Sequence, residues 1–351
     1  MARRQTLGVT LLLLWGLAFA ARAQEAPPDL VGINVAGAAF AGGLLPGKHG
    51  TNYFFPAPDY FEKWKARGIT WVRYSIQWER LQPEPFGEFD EDYMRRLDQV
   101  FDDAHAHDIR IMLDVHNYGR YYKKIVGKDV PMAAYGDLME RIARRWGGHD
   151  ALYAYDLMNE PYGEAGEYWF EMAQLGIDAV RRHDSKNTIY VEGRSWSSSE
   201  RWPRVNEDLA NLRDPAENLV FSAHLYADPD SSGRYKEKLG EQYDPMLGVK
   251  RVKPFVEWLA RHGARGHIGE FGIPYDDPRW LEIMDNMLAY LREHCIPLAY
   301  WAAGSHWGRN YPMSVEPQDG EDRPQWAVLQ KYLGNGGCER IGPVPDPGAG
   351  S

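Results

Sequence analysis

The fold is decided by residues 152–161, which read LYAYDLMNEP. Leu152–Met158 is a nearly continuous apolar and aromatic run, which is typical of a strand covered on both faces in a parallel sheet. The polar triplet Asn159-Glu160-Pro161 follows at once, where a charged side chain is costly to place unless it has a use. The segment therefore predicts a buried parallel strand that carries a functional group at its carboxyl end.

Seven further runs of the same kind alternate with amphipathic helical stretches along the chain. The other predicted strands are Leu30–Ala36, Ile69–Ser75, Arg110–Val115, Thr188–Val191, Leu219–His224, His267–Glu270 and Leu298–Trp301. The predicted helices are Glu91–His107, Pro131–Trp146, Glu164–Arg182, Lys250–His262 and Pro278–Glu293. Eight such strand–helix units predict a single α/β domain with the (β/α)8 TIM-barrel fold. A doubly wound open sheet would alternate in the same way and is the second interpretation.

The composition fits a folded domain and argues against several other classes of protein. The chain has 351 residues, of which 44% are hydrophobic and 26% charged, and its formal net charge is −10. A nucleic-acid-binding protein usually carries a basic face, so no nucleic-acid partner is expected. The 13 Trp and 21 Tyr exceed the needs of packing. This surplus indicates flat rings that are available to a ligand.

Residues 1–23 have the pattern of a signal peptide. Arg3 and Arg4 precede an apolar run over Leu7–Ala21, and Ala21-Arg22-Ala23 resembles a cleavage site. The apolar run is short for a membrane span, although an uncleaved signal anchor is the alternative. We therefore expect a secreted protein, extracellular or periplasmic, with no membrane contact after cleavage and a catalytic domain over residues 24–333.

The end of the chain predicts a disulfide and a tail. Cys295 and Cys338 are the only two cysteines, and in an exported protein they can pair with each other. Two unpaired thiols are the alternative. The Gly/Pro-rich tail over residues 334–351 is expected to be poorly ordered.

The candidate site lies at the carboxyl ends of the predicted strands, where barrels collect functional groups. Glu160 and Glu270 each follow an apolar strand directly. A pair of carboxyls suits hydrolysis of a glycosidic bond, because one can protonate the leaving oxygen while the other attacks or activates water. Arg73 and Tyr226 are placed to keep one carboxylate charged. Tryptophans that can stack on a sugar ring follow other strand ends, and they are Trp78, Trp196, Trp202, Trp301 and Trp307.

Together these residues resemble glycoside hydrolase family 5, the cellulase-type retaining enzymes. The likeness runs from Val31 to about Leu333. The matching motifs, in the family's order, are Arg73, Asp114-Val-His116-Asn117-Tyr118, Asn159-Glu160-Pro161, His224-x-Tyr226, Gly269-Glu270-Phe271 and Trp301-Ala-Ala-Gly304.

Three positions depart from the family's commonest pattern. Tyr162 stands where His is frequent, Arg194 where a small or amide residue is common, and Ser305-His306-Trp307 replaces a more aromatic run. These departures put the flanking subsites in doubt. Arg194 either favours a charged or decorated substrate or is a solvated loop residue.

The resemblance implies a role for each matching residue. Glu160 would be the acid/base, Glu270 the nucleophile, and Asn159 would bind the sugar 2-hydroxyl. In support, Arg73 and Tyr226 would orient Glu270, His116 and His224 would line the subsite where the bond breaks, and Trp301, followed by a cis peptide, would form its floor. The other candidate substrate-binding residues are Asn117, Trp307, Trp196 and Trp78. The resemblance implies no metal and no organic cofactor.

These observations predict a secreted endo-β-1,4-glucanase that cleaves β-glucan chains as a monomer through a covalent glycosyl-enzyme intermediate. The two carboxyls are then expected about 5–5.5 Å apart. A β-1,4-mannanase or another β-glycanase on the same scaffold is the alternative, because the two carboxylates do not depend on which sugar is bound. A polysaccharide-binding protein that has lost catalysis is a third hypothesis, and the presence of both Glu residues counts against it.

Overall fold

Eight parallel strands form a closed barrel in the computed structural model, which describes residues 28–343. The strands are β1 Val31–Val35, β2 Trp71–Ile76, β3 Arg110–Val115, β4 Leu152–Asp156, β5 Thr188–Glu192, β6 Leu219–Tyr226, β7 Gly266–Gly272 and β8 Leu298–Ala303. Each strand pairs with the next one along the chain, and β8 closes the barrel on β1. The predicted TIM barrel is confirmed, and the open sheet is excluded.

Helices follow the strands and complete the strand–helix alternation. The α-helices are α1 Glu62–Ala66, α2 Trp78–Leu81, α3 Glu91–Ala106, α4 Met132–Trp146, α5 Trp169–Arg181, α6 Trp202–Val205, α7 Leu247–His262, α8 Pro278–Glu293 and α9 Trp326–Leu329. Short 3-10 segments cover Gly37–Ala39, Gly163–Tyr168, Glu207–Asn211 and Gln330–Tyr332. A separate antiparallel pair joins Arg120–Tyr121 to Lys124–Ile125.

Local sequence explains where the longer helices begin. The Asp90 side chain accepts a 2.8 Å hydrogen bond from the backbone N–H of Tyr93 and so caps α3. Asp277 caps α8 in the same way, and Pro278 occupies the first turn, where its missing N–H costs nothing. The predicted helix over Glu164–Arg182 starts late, because Gly163–Tyr168, a stretch with two glycines, forms a 3-10 segment instead.

The interior of the barrel has two layers of different chemistry. Because side chains alternate along a strand, Trp71, Arg73 and Ser75 of β2 share one face of the strand. The end of the barrel where the strands begin is filled by an apolar and aromatic group, here called the lower layer: Trp71, Met112, Tyr153, Ala154, Tyr190, Val220, Ala299 and Ile341. Nearer the strands' carboxyl ends the interior residues become polar. The main apolar core contains the residues that the strands and helices bury against one another.

Residues 334–343 pack against the end of the barrel that the lower layer fills, so the expected poor order is wrong for this part of the tail. Cys338 forms a disulfide with Cys295, which confirms the predicted pairing. The backbone of Gly342 accepts a 2.8 Å bond from Gly266 N and donates a 2.7 Å bond to Cys295 O. Ile341 is buried in the lower layer. The predicted signal peptide and the rest of the tail lie outside the described residues.

Candidate active site

The two carboxyls singled out in the sequence lie side by side at the carboxyl end of the barrel. Glu160 follows β4, Glu270 lies in β7, and His224 of β6 stands between them. One side-chain atom from each of the three residues lies within 4.8 Å of the other two. The Nδ1 atom of His224 is 2.7 Å from Oε1 of Glu160 and 3.6 Å from Oε2 of Glu270. The barrel therefore brings both carboxyls to one point.

Arg73 is the cation at the centre of the site, and its side chain is fully buried. Its guanidinium contacts Asp156 at 2.6 Å, Glu192 at 2.7 Å, Asn159 at 2.8 Å, Glu270 at 2.9 Å, Asn34 at 3.0 Å and Asp114 at 3.2 Å. Burial alone would lower the pKa of Arg73, but the surrounding carboxylates raise it well above its ordinary value. We call Arg73, Asp114, Asp156, Asn159, Glu192, His224 and Glu270 the upper layer.

Both oxygen atoms of Glu270 accept hydrogen bonds. Oε1 accepts a 2.9 Å bond from Arg73, and Oε2 accepts a 2.8 Å bond from the hydroxyl of Tyr226. Burial and the charge of Glu270 raise the pKa of Tyr226 well above its ordinary value, so this phenol keeps the proton that it donates. These two donors hold both carboxyl oxygen atoms of Glu270 in a fixed orientation.

Glu160 has a different environment. Its side chain is 14% exposed, and it lies at a left-handed backbone position with a φ of 45°. Burial raises the pKa of Glu160 above its ordinary value; His224 opposes this rise and the charge of Glu270 adds to it. The raised pKa favours the protonated form of Glu160, which an acid catalyst beside a nucleophile needs.

His116 and Trp301, two more of the residues predicted to line the site, stack on each other. Their rings lie parallel within 15°, with centroids 5.8 Å apart. Asp114 is 2.7 Å from Nδ1 of His116, and although burial opposes it, this carboxylate raises the pKa of His116. Trp301 donates a 2.8 Å bond to the hydroxyl of Tyr311 and is followed by the predicted cis peptide. The ring of Trp301 is partly exposed.

The other predicted stacking residues have mixed outcomes. Trp196 is 47% exposed and stacks on Tyr162, with centroids 4.8 Å apart and planes within 11°. Trp307 is partly exposed and stacks on Tyr311 at 4.1 Å. A cavity of about 310 Å³ opens between the loops after β5 and β6, and Glu160, Trp196 and Tyr226 line it.

The prediction that Trp78 binds substrate is wrong, and so is the one for Trp202. Both side chains are 0% exposed. The indole of Trp78 packs against Tyr121 with centroids 4.6 Å apart, and its N–H donates to Gln82 at 2.9 Å. Trp202 packs against Phe255 at 4.6 Å. Neither ring has a face that a sugar can reach.

Asn117 is a second correction, because the protein uses its polar atoms itself. Its Oδ1 accepts a 2.8 Å bond from the backbone of Trp78, and its Nδ2 donates to Glu79 at 2.7 Å. The residue is 3% exposed. Asn159 differs, since its Oδ1 accepts from Arg73 while its buried Nδ2 has no partner among residues 28–343.

Arg194 makes a paired contact with Asp208 at 2.6 and 2.7 Å. It also donates a 2.7 Å bond to the carbonyl of Gly166. The Arg194 side chain thus connects two 3-10 segments, Gly163–Tyr168 and Glu207–Asn211. These contacts count against the hypothesis that Arg194 selects a charged substrate.

The sequence analysis missed two of the buried carboxyls around Arg73, Asp156 and Glu192, of which Glu192 has more contacts with the site. Glu192 ends β5 and is 0% exposed. The signal was present as Val191-Glu192-Gly193, an acidic residue directly after an apolar strand, as at Glu160 and Glu270. The predicted strand ended at Val191 and left this carboxylate without a role.

Comparisons with known proteins are consistent with this geometry. Residues 30–306 match the sequence profile of Cellulase (glycosyl hydrolase family 5). Endo-β-1,4-glucanase B of Aspergillus niger is 30% identical over 307 residues, which are 86% of this chain and 89% of the relative.

Solved structures with the same fold are also similar in sequence. An endoglucanase of Pseudomonas stutzeri in complex with cellobiose is 42% identical, has a TM-score of 0.87, and the match covers 92% of this chain and 99% of that one. An endo-β-1,4-glucanase of Xanthomonas axonopodis pv. citri is 32% identical, with a TM-score of 0.81 and coverage of 87% and 98%.

Proposed function

The chain belongs to glycosyl hydrolase family 5, and we propose that it is a secreted, monomeric endo-β-1,4-glucanase that acts with retention of configuration. The coarser conclusion, that it is a glycoside hydrolase, follows from the family. The choice of β-1,4-glucan is supported by relatives that are named endo-β-1,4-glucanases and by a similar structure that contains cellobiose.

The observation that carries the mechanism is the pair of carboxyls with unequal surroundings. One oxygen atom of Glu160 lies within 4.8 Å of one of Glu270. Retaining enzymes hold their carboxyl groups about 5–5.5 Å apart, whereas inverting enzymes leave about 6.5–9.5 Å for a water molecule. The short separation supports direct attack by Glu270 rather than attack by water in the first step.

In the first step Glu270 attacks the anomeric carbon while Glu160 gives its proton to the leaving glycosidic oxygen. The bond from that carbon to the oxygen breaks, and a bond to the Glu270 carboxylate forms. The released chain can leave through the cavity beside Glu160, where Trp196 offers a flat apolar face. In the second step Glu160, now ionised, takes a proton from water. The resulting hydroxide attacks the anomeric carbon and frees Glu270.

Two neighbours of the reacting carbon support this assignment. The free Nδ2 donor of Asn159 is available to the sugar 2-hydroxyl, where contacts in such enzymes strengthen in the transition state. Trp301 presents its ring on the same side as His116 and can support the sugar by stacking.

The proposal is tested first on substrate and stereochemistry. Purified enzyme should release reducing ends from carboxymethylcellulose and barley β-glucan and quickly lower the viscosity of the first, as internal cleavage does. Proton NMR of an early digest should show the β-anomer before mutarotation. Release from galactomannan alone would instead identify a mannanase, and initial release of the α-anomer would contradict retention.

The second test removes the nucleophile. Glu270→Ala should lower kcat by about 10⁴-fold or more while the protein still binds cello-oligosaccharides, because the aromatic walls remain. Glu257→Ala is a matched control, since Glu257 is 58% exposed on α7. Calorimetric titration measures binding. Activity of Glu270→Ala close to that of the control would reject the assignment.

Export is proposed from the sequence of residues 1–23 alone. When the full chain is expressed with its leader, the protein found outside the cytoplasm should begin at Gln24. Amino-terminal sequencing of that product checks the cleavage site.

A further inference from the structure

Glu192 is a buried carboxyl to which no role has been given so far, although it contacts Arg73, His224 and Glu160. Its Oε1 accepts a 2.7 Å bond from Arg73 and lies 2.9 Å from Nε2 of His224. Its Oε2 accepts a 2.7 Å bond from the backbone N–H of Glu160. Each oxygen atom of Glu192 is therefore bound to groups that in turn hold the catalytic pair.

One branch of these contacts leads to the nucleophile. The guanidinium of Arg73 contacts Glu192 through Nη2 and Glu270 through Nη1. A planar guanidinium that is held at both ends has a fixed orientation. Glu192 thereby fixes the donor that orients Oε1 of Glu270.

The other branch leads to the acid/base. The two ring nitrogens of His224 face Glu160 at 2.7 Å and Glu192 at 2.9 Å. An imidazole between two carboxyls can donate to both of them only as the imidazolium. The backbone N–H of Glu160 is held as well, at a left-handed position that a non-glycine residue adopts only when its surroundings enforce it.

The charges agree with the contacts. Burial raises the pKa of Glu192, but His224 and Arg73 outweigh it and lower the pKa below its ordinary value. Burial lowers the pKa of His224, but Glu192 and then Glu270 raise it well above its ordinary value. The ionisable groups facing His224 are Glu160 after β4, Glu192 on β5, and Glu270 and His267 on β7.

We propose that Glu192 is a positioning residue for both catalytic carboxyls, acting on Glu270 through Arg73 and on Glu160 through His224 and the backbone of residue 160. It touches no substrate, and the inference rests on the roles proposed above for Glu160 and Glu270. One buried carboxylate thus sets the geometry of the acid and of the nucleophile together.

The test compares Glu192→Gln with Asp184→Asn, in which another buried carboxylate is replaced by its amide. Asp184 bonds Tyr155 at 2.7 Å and the backbone of Lys186 at 2.8 Å, away from both catalytic residues. Glu192→Gln should lower kcat on cello-oligosaccharides about 10²-fold with little change in KM, as expected when acid–base geometry is lost. The control should keep its kcat. Equal kcat values for the two variants would overturn the proposal.

The pH profile separates positioning from a merely structural role. The His224 cation lowers the pKa of Glu160 more strongly than the charge of Glu192 raises it. The other ionisable groups that sense Glu160 are Glu270, Tyr118 and Tyr226. Without Glu192 the His224 proton is held less firmly, so the alkaline limb of kcat/KM should move to higher pH. An unmoved limb would overturn the branch through His224.

Leaving-group dependence tests the two branches separately. A 2,4-dinitrophenyl β-cellobioside needs no proton from Glu160, so the loss of kcat/KM in Glu192→Gln should be smaller than on cello-oligosaccharides but still present. Equal losses would overturn the branch to Glu160, and no loss on the aryl substrate would overturn the branch to Glu270. Wild-type enzyme and Glu270→Ala in the same assay show independently whether the proposed function holds.

Discussion

The upper and lower layers of the barrel are built on the same strands and have opposite chemistry. On β2 the inward residue of the lower layer is Trp71, and two residues later the inward residue of the upper layer is Arg73. The lower layer is filled by rings and aliphatic side chains. In the upper layer one guanidinium contacts four carboxylates. A step of two residues along one strand therefore separates packing from catalysis.

This difference shows how a barrel tolerates buried charge. Each ionised group in the upper layer has a partner of opposite sign or a hydrogen-bond donor, as a buried charge requires. Asp156 is the upper-layer group that is hardest to keep charged. Burial and the neighbouring Glu192 raise the pKa of Asp156 well above its ordinary value. Asp156 therefore tends to keep its proton despite the 2.6 Å contact with Arg73. The lower layer needs no such partners, because it contains no charged side chain.

The largest expected effect is the loss of stability and activity when Arg73, the central cation of the upper layer, is replaced. Arg73→Met leaves four buried carboxyl groups without their cation, so the free energy of unfolding should fall by about 3–5 kcal/mol and activity should be lost. Urea unfolding monitored by tryptophan fluorescence measures the stability. A variant as stable as the wild type would mean that the upper layer is not held by this charge.

Arg73→Lys is the matched comparison for that variant. It keeps the charge but loses the planar fork that reaches several acceptors at once. We therefore expect a smaller loss of stability than in Arg73→Met and a loss of kcat nearly as large. If Arg73→Lys kept wild-type kcat, orientation by the fork would be irrelevant.

Removal of the disulfide should weaken packing only at the end of the barrel that the lower layer fills. The bond closes a loop with a sequence separation of 43 and holds the segment that places Ile341 in the lower layer. Replacing both cysteines by serine should lower the free energy of unfolding by about 2–4 kcal/mol. The kcat should stay unchanged, because neither cysteine contacts the upper layer. A large fall in kcat would show that the two layers are mechanically coupled.

The fold was predictable from the sequence because each barrel strand is a short apolar run with a clear end. The rule that strand ends carry function also selected Glu160, Glu270, His224 and Tyr226, which the barrel brings together. The rule uses position along the chain and not the direction of a side chain, and this explains its failures. Trp78 follows β2 closely, but it begins α2 and turns its ring into the core.

Two other features depended on contacts between distant parts of the chain. The carboxylates around Arg73 come from four different strands, so their common partner is visible only once the barrel closes. The tail has a composition typical of disorder, yet its residues 334–343 are held by a disulfide and by backbone bonds to residues far away in the sequence. Composition contains no information about such partners.

The smallest expected effect concerns His267, which lies beside the lower layer against Trp71 and Tyr190. Burial lowers the pKa of His267 well below its ordinary value, and the charges of Arg73 and His224 lower it further. The upper layer thus helps to keep its neighbour neutral. Only the unfolded chain binds the proton below about pH 6.5, so this residue should reduce stability by up to about 1.4 kcal/mol per pH unit as the pH falls.

Replacing the imidazole of His267 by an apolar ring of similar shape tests whether this residue causes the loss of stability at low pH. His267→Phe loses the 3.1 Å contact with Ser222, so it should be slightly less stable than the wild type at pH 7. Between pH 7 and pH 5, however, its stability should fall by about 1–2 kcal/mol less than that of the wild type. His105→Gln, which removes an exposed histidine, serves as the control. Parallel pH–stability curves for His267→Phe and the wild type would mean that His267 takes up a proton inside the folded barrel. In that case the lower layer would tolerate charge as the upper layer does, and the contrast between the two layers would be lost.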